Sequence, residues 1–174
     1  MKFRKQTERI ALCGMLLSLM LILGYVESQI PIAVGVPGIK LGLSNGVLIF
    51  AVYMLSIPLA FLLMVLKVLL SAILFGGVGT IPYALAGGVL SLLSMSLLSR
   101  IHGVSPVVVS VVGGLMHNVG QVGMAMLILG TPMLWSYLAI LMPVGMFTGA
   151  ATGLAAVGVM HHLSSIHPKA PSKK

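Results

Sequence analysis

A chain of 174 residues that is 59% hydrophobic and only 7% charged, with a mean hydropathy of +1.16, falls outside the soluble globular class, where about a quarter of residues carry charge. Its net charge of +8 does not describe a nucleic-acid-binding surface, because the basic residues gather at the two ends rather than on a folded face. With apolar runs approaching the roughly 20 residues that cross a bilayer core, the chain reads as an all-α integral membrane protein, a single membrane domain over 1–174.

Lys2, Arg4, Lys5 and Arg9 form a basic tail over 1–9. The first predicted span covers about 10–26. It lacks a small-x-small cleavage site after the apolar run and is read as a retained helix. Cys13 is the sole cysteine, so no internal disulfide is expected. Ala11, Gly14 and Ser18 set small residues at helical spacing, a face suited to close approach of another helix of this chain or of a partner subunit.

The longest polar interruption follows, from Glu27 to Asn45. It holds one of only two acidic residues in the chain, together with Pro31, Pro37 and Lys40, and reads as a lid over one mouth of the bundle. Glu27 is expected to neutralise Lys40 at the surface. The second predicted span, about 41–55, starts near Asn45. A tight turn at Ser56-Ile57-Pro58 leads into the third, 58–75, which carries Lys67 near its middle.

The glycine-rich turn at 76–82 lacks the Lys-Ser or Lys-Thr of a phosphate loop. The fourth span is read at 83–98, the fifth at 106–129 and the sixth at 134–159. Pro143 is expected to kink the last helix, and Gly145, Gly149 and Gly153 give it a small-residue face. The tail over 160–174 brings Lys169, Lys173 and Lys174. His161, His162 and His167 are read there as helix-end polarity that suits the dipole.

Six spans place both termini on one side. The basic ends and Arg100 share it, which makes it cytoplasmic by the positive-inside rule and leaves Lys40 as the basic residue of the outer loops. Tyr25, Tyr83, Trp135 and Tyr137 are expected at the outer interface, where amphipathic rings sit. The location implied is a bacterial cytoplasmic membrane, with the lipid bilayer as solvent.

Two interior groups could carry chemistry. A lysine at mid-membrane costs about 2.5–3.5 kcal/mol on insertion scales, so Lys67 is expected to face a cavity or a polar partner. His117, Asn118 and Gln121 share roughly one helix face, beside Gly113, Gly114 and Gly120. They read either as an interhelical hydrogen-bond cluster or as a ligand site assembled with Lys67. No second histidine or carboxylate stands at metal-ligand spacing on that helix. The chain has no aspartate, so an aspartate-rich magnesium–diphosphate site cannot be built from it. These features describe a binder without catalytic residues, metal or cofactor of its own.

The run Pro37-Gly38-Ile39-Lys40-Leu41-Gly42-Leu43-Ser44-Asn45, then Tyr83-x-x-Ala86-Gly87-Gly88-x-x-Ser91, then His117-Asn118-x-Gly120-Gln121 together resemble the Gx transporter family, whose members are often labelled heptaprenyl diphosphate synthase component I. That family is similar to the S components of energy-coupling factor transporters. Those are six-helix bundles that bind a solute beneath outer loops and pair with a membrane coupling protein and ATPase subunits. The resemblance implies an S-component-like bundle with Lys40, Asn45, Lys67, His117, Asn118 and Gln121 as pocket residues. It implies docking through Ala11, Gly14 and Ser18, where Met15 stands at the place of a second alanine. The solute is then small and, given Lys40 and Lys67, anionic. The alternative is a non-catalytic membrane component of isoprenoid biosynthesis, associated with a heptaprenyl diphosphate synthase. A third reading is a structural membrane protein whose polar groups only join helices.

Overall fold

The computed structural model describes residues 2–29 and 42–166, with side chains over 6–29 and 42–162. Six α-helices are present in this part: α1 (Lys2–Ser28), α2 (Asn45–Met54), α3 (Ile57–Ser71), α4 (Ile81–Leu98), α5 (Pro106–Leu129) and α6 (Leu138–Ile166). Local chemistry sets most of the boundaries. Prolines occupy the first turns of α3, α4 and α5, where the missing N–H would have had no partner. Ser105 caps α5 by accepting from Val108 N at 3.3 Å. Gly130, with φ +62, ends it in the left-handed region, which a residue without a β-carbon enters freely. Beyond α3, a π-helical turn (Ala72–Gly76) and a 3₁₀ turn (Val78–Thr80) reverse the chain. A second 3₁₀ turn, Pro132–Tyr137, leads into α6, and α6 runs unbroken through Pro143.

Among the described residues, five helical segments are long and apolar enough to cross a membrane. The second predicted span is not one of them. Its helix, α2, has ten residues and rises about 15 Å, half the roughly 30 Å of a hydrocarbon core. Hydropathy suggested a span because α2 is apolar all round, and such a helix is one sheathed by protein: every residue from Asn45 to Ala51 is buried. It touches α1, α3, α4, α5 and α6. Its first residues lie level with the middle of α3 and α5, as the cavity shared with Lys67 and the neighbourhood of His117 indicate. Its last residues lead through Leu55 and Ser56 into α3. Among the described residues, five of the expected spans are thus long enough to cross, and the second is a half-depth helix between them. Of the stretch from Glu27 to Asn45 read as a lid, residues 30–41 with Lys40 lie outside the described residues, as does His167.

Glycines set how closely helices approach. A β-carbon on Gly120 of α5 would stand 2.7 Å from the Ala86 carbonyl oxygen and 2.8 Å from Gly87 Cα of α4. One on Gly114 would meet the Gly145 carbonyl oxygen at 2.7 Å, and one on Gly149 would meet Val111 Cα at 2.8 Å. The small-residue face of α6 is thus spent on α5, backbone against backbone. The small face of α1 behaves differently. Ala11, Gly14 and Ser18 are exposed, and a β-carbon on Gly14 would meet nothing within 4 Å. Among the described residues, no other helix packs against Gly14.

The aromatic residues divide. Tyr25 and Trp135 are exposed, and Tyr25 sets its ring edgewise on Phe75 with centroids 5.7 Å apart. Tyr83 does not sit in the lipid interface as expected. Its ring is buried with Val122, Ala125, Leu134, Leu138 and Leu141, because α5 and the 3₁₀ turn before α6 close over the start of α4.

Candidate polar chamber at the head of the half-depth helix

Helix α1 runs two residues past its predicted end, and this carries Glu27 onto the same face as Gly24, one turn earlier. Glu27 is 2% exposed, so it stands inside the bundle and not at the surface as expected. Its carboxylate accepts the Gly42 N–H, a charge-assisted bond of the stronger kind. Gly42 adopts φ +84, and a β-carbon there would lie 3.2 Å from both Asn45 Nδ2 and His117 Cδ2. Only glycine fits both the conformation and the space.

The turn then locks onto α2. Asn45 N donates to Gly42 O at 2.9 Å and Gly46 N to Leu43 O at 3.1 Å. Ser44 and Asn45 are thereby held at the head of α2, in the bundle interior. Ser44 Oγ and Asn45 Nδ2 are buried and have no hydrogen-bond partner among the described residues. A buried polar group left so costs about 1–3 kcal/mol. Both border a cavity of about 10 Å³, together with Lys67 from α3, Met20 from α1, Leu48 from α2, Met64 and Val68 from α3, and Ala84 and Gly88 from α4. That volume matches the roughly 10–15 Å³ needed to seat one water-sized group. Lys67 is 7% exposed, and its Cε lies 3.9 Å from where a Gly24 β-carbon would be. Its stem therefore runs between α3 and α1, toward the helix that carries Glu27.

His117 and Gln121 stand one turn apart on α5, their Nε2 atoms 2.8 Å from each other. Both press on Gly87 of α4, where an added β-carbon would fall 2.7 Å from His117 Nδ1 and 2.8 Å from Gln121 Cγ. His117 also flanks Gly42, which ties this pair to the head of α2. Asn118 faces away from them. Its Nδ2 donates to the Leu141 carbonyl at 2.7 Å, joining α5 to α6 two residues before Pro143.

Of the predicted pocket residues, Asn45 and Lys67 share the cavity, while His117 and Gln121 adjoin its entrance turn. Asn118 lies on the other side of α5, and Lys40 is outside the described residues. Glu27 and Ser44 were not among them. Glu27 had a signal, as a carboxylate within a turn of an apolar run. Ser44 had none beyond its place in the Pro37–Asn45 motif. His161 and His162 are exposed near the end of α6, and no group of three metal-binding side chains occurs among the described residues.

The clasp between Glu27 and Gly42 is testable. Glu27→Ala leaves a buried N–H without its acceptor, an expected cost of about 1–3 kcal/mol. In a chain of this size that lowers the thermal midpoint by about 2–12 °C. Glu27→Gln, which keeps an acceptor oxygen, should recover most of the loss. Circular dichroism melts in detergent would measure both, and equal midpoints for Ala and Gln variants would rule the clasp out.

No curated protein and no solved structure matches the chain. A profile described as heptaprenyl diphosphate synthase component I matches residues 16–159. That match runs from within α1 to near the end of α6 and takes in every helix that borders the chamber. The chain belongs to the heptaprenyl diphosphate synthase component I family.

Proposed function

We propose that the chain is a single membrane-embedded binding domain. It holds a small solute in the polar chamber and serves as the substrate-binding subunit of a transporter, in the manner of S components. The observation that carries this reading is the convergence of Ser44, Asn45 and Lys67 on one cavity, with Glu27 and His117 both against the Gly42 turn that leads into it. Interior polar and ionisable groups in membrane proteins mark substrate pathways by default, because each is costly to keep there. On this reading Asn45, Lys67, His117 and Gln121 belong to the solute site, Lys40 is kept as a candidate from the resemblance alone, and Asn118 serves packing. The exposed face of Ala11, Gly14 and Ser18 is where a coupling protein docks. ATPase subunits supply the energy, since the chain has no nucleotide-binding loop.

The topology of this reading has both termini in the cytoplasm of a bacterial cell. The Tyr25–Phe75 contact supports it by bringing the end of α1 to the end of α3. With α3 through α6 alternating, the start of α1 and the end of α6 then share one face, the face of the basic tails.

The family description favours a second reading, a non-catalytic membrane component associated with a heptaprenyl diphosphate synthase. Without aspartate, the chain would support another subunit's chemistry rather than perform it. Mild-detergent isolation from native membranes separates the two. Recovery with a coupling protein and ATPases, and with a solute identifiable by mass spectrometry, is the expected result. Recovery with a soluble prenyl synthase and no solute would replace the first reading by the second.

A further inference from the structure

Ser44 stands in the N-cap position of α2 and does not cap it. An N-cap serine ordinarily turns its side-chain oxygen onto a backbone N–H two or three residues ahead. Here Ser44 has helical backbone angles, φ −65 and ψ −20, and makes no such bond. The Asn45 and Gly46 N–H groups are taken instead by the carbonyls of Gly42 and Leu43. Ser44 is 1% exposed and Asn45 6%, and neither Ser44 Oγ nor Asn45 Nδ2 has a partner among the described residues. Both residues border the cavity.

What these two side chains offer is mixed. A serine hydroxyl donates one bond and accepts others, and a carboxamide carries donor N–H groups beside an acceptor oxygen. A carboxylate only accepts and an ammonium only donates, so either meets half of that set. A hydroxyl meets both halves. Charge points the same way. Among the described residues, the buried acidic and basic side chains other than His117 are Glu27 and Lys67. Their charges are opposite, and each already has a partner. A solute with a net charge would leave that charge unbalanced inside the bundle, where buried ions are costly.

We infer that the cavity recognises an uncharged hydroxyl group: Asn45 Nδ2 donates to the solute oxygen, and the solute O–H donates to Ser44 Oγ. The inference rests on the solute-binding reading above and names its substrate class, a neutral alcohol. A cavity of about 10 Å³ admits one oxygen of that size. The rest of its border is mainly apolar, with Met20, Leu48, Met64 and Val68, so an aliphatic body behind the hydroxyl suits it. The unbranched methionines reshape readily to admit that body.

The test uses the full chain in nanodiscs of uncharged lipid and three probes of similar shape: propan-1-ol, propionate and propylammonium. Ligand-detected saturation-transfer NMR at constant ionic strength follows each, with the signal of empty nanodiscs subtracted for partitioning into lipid. Propan-1-ol is expected to give a saturable signal, and both charged probes to bind at least tenfold more weakly. Ser44→Ala and Asn45→Ala should each weaken propan-1-ol by about fivefold or more, because a buried partner is left without its bond. Ile22→Ala, on the exposed side of α1, should bind as the parent does. Without probe, Ser44→Ala should hold the parent's thermal midpoint to within about 2 °C, since the hydroxyl it removes has no partner among the described residues.

A charged probe binding as tightly as propan-1-ol, no saturable propan-1-ol signal, or unchanged propan-1-ol affinity in either Ser44→Ala or Asn45→Ala would overturn the inference. So would a larger fall in the midpoint of probe-free Ser44→Ala, the mark of a hydroxyl that only holds a structural water. Mass spectrometry of solute carried through purification separates this failure from a broader one. A charged solute, or one without a hydroxyl, overturns the hydroxyl site and leaves solute binding standing, whereas a chain that carries and takes up no solute loses both.

Discussion

A Lys67→Met protein is expected to enter the membrane at least as well as the parent while binding its co-purified solute at least tenfold more weakly. The two halves of this result have separate causes. Removing a charge from mid-helix relieves about 2.5–3.5 kcal/mol of insertion cost, and methionine matches the length of the lysine stem that runs between α3 and α1. What is lost is a charged hydrogen-bond donor, and bonds to charged groups contribute about 1.5–3 kcal/mol, or roughly 10- to 150-fold in affinity. Calorimetry with the extracted solute, on protein whose helicity equals the parent's, makes the measurement. Equal affinities in variant and parent would remove Lys67 from the solute site.

The second large effect falls on architecture. Gly120→Val should loosen α4 from α5, because the new β-carbon would meet the Ala86 carbonyl oxygen at 2.7 Å and Gly87 Cα at 2.8 Å. Backbone cannot yield as a flexible side chain does, so the cost should reach about 3 kcal/mol or more. The corresponding fall in thermal midpoint is about 6–12 °C. Solute retention should fail with it, since Gly87 is also the floor beneath His117 and Gln121. Gly14→Val is the matched control. With nothing within 4 Å, it should leave the isolated chain within about 0.5 kcal/mol of the parent. Equal midpoints for the two variants would mean that α4 and α5 are not joined through Gly120.

Pattern alone locates a helix where a breaker residue stands at its end. The fifth helix was legible to the residue at both ends, 106–129, because Pro106 starts it and Gly130 stops it. The fourth was legible from Pro82 and from the Ser99–Gly103 break. Lys67 stood out because a lone charge in an apolar run is rare. The second helix misled because hydropathy reports apolar length and not what covers it, so protein-sheathed and lipid-facing helices read alike. Gly42 broke the run, but a glycine inside an apolar segment does not announce a positive φ. Glu27 was misplaced for the opposite reason: polar Ser28 and Gln29 made the last turn of α1 look like loop. Asn118 and Gln121 looked equivalent by spacing, yet α6 lies on one side of α5 and α4 on the other. Which neighbour a helix face meets is tertiary information.

The glycine seams have a mechanical consequence. Helices α4, α5 and α6 touch through backbone at Gly120, Gly114 and Gly149, so they form a stiff plate whose members cannot slide without steric collision. The other side is joined to it through deformable atoms. Gly88 of α4 rests on the sulfur of Met64 of α3, an atom near the far end of an unbranched side chain. The cavity lies on the boundary between these two materials, with Gly88 on its rigid wall and Met20, Met64 and Lys67 on its compliant one. A change in the cavity's width is therefore accommodated more cheaply by the methionine side chains of α1 and α3 than by the glycine seams of α4, α5 and α6.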